Sequence, residues 1–543
     1  MNIFSNIKKV TYIRRDEIAL IFVFAIISSF FYLIIPVAAQ GLVTFVSFGR
    51  ITQPLFILAF CVLVALISAA SVNLMQIYLI ENIQQRLFAH TTIAFSKNLP
   101  RVLIEIFDSY RGTELTNRYF DIFIVQKCVV ELLLSGVIFL LQTILGMILI
   151  AFYHPYFLIF DFILLSGILM CVFLPWGKGF HTAIEESNAK YKLGGWLEEI
   201  SRIPMLFKFS NNQKIGFKIA DEKILEYLIQ RQKHFKQIFT HAIGGYLIQT
   251  LSLTSILLLG GFLVIKNQLT LGQLVAAEVV VAAIGQGAQK LSKNIESFYD
   301  LAAASEKLTF LMNLPLEKST RFKNSTLTNI IETPPLVTVE NLGFKNEDGA
   351  IILKDIHFGI DPKNTLLIFS ESGKGKTLLC RLLTGILEPS IGTITYNKVS
   401  IRDFDLEKLR SKICYISDVA FFDGNLFQNL VMSDEKISVQ EVSDAIHLFK
   451  LEKVVAKLKN GLFTAINDNH YSISNNELLM MMFVRAYLAK PHFLIIDSTI
   501  DLLPKEVANF LIELIKKKVF DATIIITTSK KEMIDEFNNV MSL

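Results

Sequence analysis

Two short stretches of the chain carry residue types suited to phosphate chemistry. In "TLLIFSESGKGKTLLCRLL", Thr365 to Leu383, an apolar run ends at Ser370, a tight loop follows, and Lys376 and Thr377 open an amphipathic helical pattern. Glycines let backbone N–H groups converge on phosphate oxygens, and a helix N-terminus adds a favourable dipole. Lys376 can reach the β- and γ-phosphates of a nucleotide, and the Thr377 hydroxyl can bind Mg²⁺. The usual pattern is G-x-x-G-x-G-K-[ST]. Ser370 stands at its first glycine, while Gly373, Lys374, Gly375, Lys376 and Thr377 complete the loop. The second stretch is "FLIIDST", residues 493–499, which reads as a buried strand ending on Asp497, a candidate Mg²⁺ ligand acting mostly through water. Enzymes that hydrolyse nucleotides often place a Glu next to that Asp as general base; here the residue is Ser498.

These residues need a sheet and a helix behind them, and the second part of the chain supplies the pattern. Short β-rich runs alternate with helical ones: "LVTVENL", "TLLIFS", "GTITYN", "SKICYIS", "FLIIDS", "PKEVANFLIELIKKKV" and "ATIIITT". Strands alternating with helices predict an α/β domain with a mainly parallel sheet, here over 335–543. A polar linker is expected over 310–334.

The first part, 1–309, has the opposite character. The 543-residue chain is 52% hydrophobic, with a mean hydropathy of +0.47, high for a soluble protein. Six apolar stretches can each cross a bilayer, near 18–40, 53–76, 129–152, 156–175, 244–265 and 271–290, the last interrupted by Gly285 and Gly287. The N-terminal run resembles a secretory signal, but Ile18 to Pro36 exceeds a usual signal core and reads as a retained helix. Long polar stretches at 77–127 and 176–243 look helical and carry Arg86, Lys97, Arg101, Arg118, Lys127 and Lys178. The short connections carry little beyond Arg50 and Lys266, so the termini and both long loops are expected on the cytoplasmic side. A net charge of +4 gives no case for nucleic acid, and five scattered cysteines define neither a metal site nor a disulfide framework.

Six spans with two long cytoplasmic loops, followed by a phosphate-loop domain, resemble an ATP-binding-cassette exporter half-transporter. "ELTNRYFDIFIVQK" (114–127) and "WLEEISRIP" (196–204) resemble the subgroup related to bacterial type I secretion exporters, with no peptidase domain expected ahead of the first span. The resemblance implies a six-helix membrane domain and an α/β nucleotide domain that binds Mg·ATP through Gly373, Lys374, Gly375, Lys376, Thr377 and Asp497. It also implies a dimer in which each ATP lies between one half's phosphate loop and the other half's signature segment. Several family positions are altered. Asn346 falls where an aromatic stacks on adenine, and an amide offers little π-face. After "ICYIS" no Gln is found, so Asp418 replaces it or a deletion removes it. "GLFTAINDN" keeps Gly461, Leu462, Thr464 and Asp468, but the L-S-G-G-Q signature reads Ile473-Ser474-Asn475-Asn476-Glu477. The lost glycines should obstruct approach to a γ-phosphate, and Glu477 brings negative charge there. Arg485 and Ala486 continue the family's helix. The D-loop reads Asp501-Leu502-Leu503-Pro504, and Thr528 holds the switch His position. Losing a positioned base costs roughly 10²–10⁴ in rate, or about 3–5 kcal/mol.

Two readings of function follow. In one, the chain is a hydrolysis-impaired transporter subunit paired with a second half, more readily a different one than a copy of itself. In the other, it is a non-hydrolytic, ATP-sensing membrane scaffold. Within the spans, Glu278 is either a transport site or a group facing a wet cavity. Asp161 is expected at the outer interface.

Overall fold

The computed structural model describes residues 3–11, 14–47, 53–109, 112–209, 213–317, 331–346, 349–432, 434, 436–466 and 473–543. The chain divides into two compact units, Met1–Leu316 and Glu317–Leu543. Of the expected linker, residues 318–330 lie outside the described set, and the preceding helix runs on to Met312.

The first unit is all helical. Six segments among the described residues are long and apolar enough to cross a membrane: Arg15–Ser47, Gln53–Arg101, Gly112–Ala151, Pro155–Arg202, Lys214–Ile265 and Leu271–Met312. The fifth has 52 residues, about 78 Å at 1.5 Å per residue, against a hydrocarbon core of about 30 Å. The polar stretches of the sequence are therefore helical continuations of the spans. Caps fix where the outer ends begin. The His154 Nδ1 accepts from the Tyr156 N–H (3.2 Å) ahead of the fourth segment. Thr270 and Gln273 form a reciprocal box ahead of the sixth, at 3.2 and 2.9 Å.

Gly285 and Gly287 do not interrupt the sixth segment, which is one helix from Leu271 to Met312. They are approach points. A Cβ on Gly287 would collide with the Phe139 ring, and one on Gly245 of the fifth segment with the Ala288 carbonyl oxygen. Small residues let packed spans close on each other's backbones, which outweighs glycine's poor helix propensity. Asp161, expected at the outer interface, has its side chain enclosed by packed helices. It is buried at 9% exposure on the inner face of Pro155–Phe173, beside Phe157, Phe160, Leu164 and Ile168.

The second unit holds two main sheets. Its strands are β1 Val337–Lys345, β2 Ile351–Ile360, β3 Thr365–Phe369, β4 Ile391–Tyr396, β5 Val399–Ser400, β6 Ile413–Ile416, β7 Gly424–Asn425, β8 Ala465–Ile466, β9 Phe493–Asp497, β10 Thr523–Thr528 and β11 Val540–Ser542. The order β2-β1-β4-β5 is antiparallel, and β11-β3-β10-β9-β6 is parallel throughout. Phe493 to Ile496 are fully buried, as strands covered on both faces must be. Each such side chain contributes about 1.5–3 kcal/mol by burial. The parallel register aligns Thr527 with Asp497 and Thr528 with Phe369, so β3, β9 and β10 end together. Ligands of open α/β sheets bind beyond such carboxyl ends.

Candidate nucleotide site

The phosphate loop leaves β3 at Ser370 and enters the helix Lys376–Leu383. Gly373 (φ +83°) and Gly375 (φ +92°) are left-handed, a conformation that glycine adopts without strain. Gly375 is the helix N-cap, and no acidic residue lies in the first turn. Lys376 is 9% exposed, and its ammonium turns back over the loop, donating to the carbonyls of Ser370 (2.6 Å) and Glu371 (3.1 Å). Lys374 and Thr377 face solvent.

Asp497 sits at the end of β9 with both carboxylate oxygens engaged. Oδ2 accepts from the Tyr415 hydroxyl (2.9 Å) and Oδ1 from the Thr527 hydroxyl (2.9 Å). Burial, and then the Asp497 charge, push the Tyr415 phenol above its usual range, so it stays a donor. Burial holds the neighbouring Cys380 thiol well above its normal value, which removes it as a nucleophile. Ser498 is left-handed (φ +55°). Its N–H donates to the Thr527 hydroxyl (2.9 Å) and carbonyl (3.1 Å), and its own hydroxyl lies 3.3 Å from the Thr527 hydroxyl.

Thr528, at the switch position, is fully buried and donates to Asp501 Oδ1 (2.5 Å). Asp501 Oδ2 accepts from the Ser529 N–H (2.7 Å) and hydroxyl (2.9 Å). The D-loop aspartate is therefore tied to the end of β10. Asn346, at the adenine position, uses its side-chain oxygen to accept from the Ala350 N–H (2.7 Å), closing the turn between β1 and β2. In the stretch where Gln is missing, Asp418 is exposed, while Asn429 pins the chain by bonding both the N–H and the carbonyl of Phe422, each at 2.9 Å.

The signature segment lies apart from these groups in sequence and opens the helix Asn475–Leu488. Ser474 is its N-cap, and Glu477 completes a reciprocal box. The Glu477 N–H donates to the Ser474 hydroxyl oxygen (3.3 Å), and the Ser474 N–H and hydroxyl donate to Glu477 Oε2 (2.7 and 2.8 Å). Ile473 is buried, and Asn475 and Asn476 are exposed on the first turn. Asp468 of the approach lies outside the described residues.

The structure thus brings Gly373, Gly375, Lys376, Asp497, Ser498 and Thr528 to neighbouring strand ends of one sheet. Tyr415 and Thr527 were missed by sequence reasoning. A hydroxyl-bearing residue within each apolar strand run was the available signal. Among the described residues no cluster of three or more His, Cys, Asp or Glu could hold a metal alone, so a magnesium ion here would depend on phosphate oxygens as well.

A parallel sheet with a phosphate loop, a carboxylate at a neighbouring strand end and six apolar helices in the other unit match the organisation of ABC-type membrane proteins. Residues 353–501 match the model of the ABC transporter family. The chain is 24% identical over 458 residues to the lactococcin-A transport/processing ATP-binding protein of Lactococcus lactis subsp. lactis, covering 82% of this chain and 62% of that protein. It is 23% identical over 301 residues to the alpha-hemolysin translocation ATP-binding protein of Escherichia coli O157:H7, covering 55% and 42%. It is also 23% identical over 418 residues to the ATP-dependent lipid A-core flippase of Vibrio vulnificus strain YJ016, covering 74% and 68%. The chain therefore spans less than two thirds of the lactococcin protein's length. It has the organisation of an integral membrane protein with a cytoplasmic ABC-type nucleotide-binding domain, and the proteins it is similar to include type I secretion exporters.

Proposed function

We propose that this chain is a hydrolysis-impaired, ATP-binding subunit of an exporter-type membrane protein that works with a second half-transporter. Its membrane unit is read as 1–309 and its nucleotide unit as 335–543, joined by 310–334. The residues fit a nucleoside triphosphate. Gly373, Lys374 and Gly375 offer loop amides, and Lys376 can exchange its two carbonyl partners for phosphate oxygens. Thr377 would hold Mg²⁺ directly, with Asp497 in an outer position. Bound ATP and Mg²⁺ would supply phosphoanhydride chemistry; the chain's own part is to bind and orient them.

The observation that carries the reading is Ser498. It occupies the base position, its hydroxyl lies against Thr527, and a serine hydroxyl cannot take a proton from water near neutral pH. Thr528 offers no imidazole, and its hydroxyl is committed to Asp501. The test measures ATP binding and hydrolysis by the purified protein, alone and with any half that copurifies. Binding without turnover in the lone protein is expected. Turnover at ordinary transporter rates would defeat the impaired reading. Absent binding, unchanged in Lys376→Ala, would defeat ATP binding.

One observation favours a second reading, a non-hydrolytic ATP-sensing scaffold. Alterations on the phosphate-loop side (Ser498, Thr528) and on the signature side (Asn475, Asn476, Glu477) share one chain. Any dimer would then carry an alteration at both composite sites. Rapid turnover on adding an intact second half decides for the transporter reading.

A further inference from the structure

Asp161 is a buried carboxyl of the apolar spans that nothing in the nucleotide reading uses; the other buried carboxyl described in this unit, Asp121, has Lys190 at 3.7 Å. Six residues past Pro155, it lies about 9 Å along the fourth helix from its first residue. It is more than nine-tenths buried, and neither carboxyl oxygen has a hydrogen-bond partner in the protein. Its face joins an apolar cluster that includes Met147 and Ile150 of the third segment and Ile256 and Leu263 of the fifth.

The helices packed against it offer no counter-charge. Val137–Ala151 carries no titratable side chain. From Gly244 to Ile265 the fifth segment carries only Tyr246, which is 59% exposed. Lys178 and His181 belong to the helix that follows at the far, cytoplasmic end. Across the bundle, the outer half of the sixth segment carries only Glu278, another acid, half-buried. Tyr153 of the outer turn donates to Gln40 instead (2.8 Å). An ionised carboxylate without a cation or a donor is costly in such surroundings, whereas a neutral acid loses only one or two hydrogen bonds.

We propose that Asp161 is a proton-binding site of the membrane unit, held as the neutral acid while the bundle is packed and releasing its proton only in an arrangement that lets water reach it. The site therefore links the opening of the outer part of the bundle to pH: proton release favours the wetted arrangement, and acid favours the packed one. This linkage is independent of whether the nucleotide unit binds ATP.

The test uses the full chain in lipid nanodiscs treated with dicyclohexylcarbodiimide, an apolar reagent that reacts with protonated carboxyls. The acid's proton passes to one carbodiimide nitrogen and its oxygen bonds to the central carbon. The acyl group then shifts to nitrogen, leaving a stable N-acylurea on the protein. Mass spectrometry is expected to find this adduct on the Asp161 peptide at neutral pH, and to find several-fold less with a water-soluble carbodiimide. Equal labelling by both reagents would mean that water already reaches the site, and would overturn the proposal. Infrared spectra give a readout independent of reagent access. Asp161→Asn is expected to remove a neutral-acid carbonyl band, and removal of carboxylate bands instead overturns the assignment.

Discussion

Two helix N-termini of the nucleotide unit have opposite endings. The helix Lys376–Leu383 begins at a left-handed glycine, with no acid in its first turn and no side-chain cap. The helix Asn475–Leu488 begins at a serine whose box with Glu477 meets its own backbone donor, and Glu477 adds a carboxylate to the positive end of the dipole. The first keeps its amides for an outside anion; the second has already supplied its own. The family's signature also ends in a residue able to box with that serine, so exchanging an amide for a carboxylate keeps the fold of the turn and changes only its charge. Helix geometry alone therefore does not make an anion site. What matters is whether the first-turn donors are still free.

The largest expected effect breaks the first terminus. Lys376→Ala removes a charge-assisted contact and should weaken ATP binding about 10- to 100-fold, read by calorimetry on the full chain. Second, Ser498→Glu combined with Thr528→His should raise ATP turnover measured with an intact second half by about 10²-fold, the low end of general-base effects. Either change alone should do less, since Thr528 also holds Asp501. Third, Glu477→Ala removes the box and should cost about 1 kcal/mol in stability, seen as a lowered denaturant midpoint. Glu477→Gln should retain that stability while removing the charge, so the pair of variants separates capping from electrostatics.

The smallest effect concerns a matched control. Ser438 and Glu441 form the same box at the helix Val439–Leu448, and hydrogen bonds from Ser438 hold the Glu441 carboxyl below its ordinary value. An acid with a depressed folded-state value contributes stability above its unfolded value and loses it as pH falls through the folded one. Amide exchange in that first turn should therefore accelerate only below about pH 4, where an ordinary Glu takes up its proton. Acceleration nearer neutrality would mean that the boxes are not held by their carboxylates.

How much of this is legible before the structure depends on the range over which a signal acts. The phosphate loop and the β9 strand are local patterns of apolar run, glycine and charge, and both read directly from the sequence. Tyr415 and Thr527 meet Asp497 only because β6 and β10 flank β9 in parallel register, a pairing that joins segments 82 and 30 residues apart. The burial of Asp161 was not legible for a different reason. Pro155–Phe173 is apolar all round, so periodicity does not tell its inner face from its outer one. Gly285 and Gly287 read as an interruption because isolated helices disfavour glycine, whereas packed spans use it for contact. The capping role of Glu477 was legible as S-x-x-E, yet its charge drew attention first.

The close approach of Gly245 to Ala288 has a mechanical corollary. Backbones that touch with no side chain between them leave no compliant layer to shear, so around this crossing the fifth and sixth helices behave as one beam. Distance probes straddling residues 245 and 288 should stay fixed through every state the protein visits.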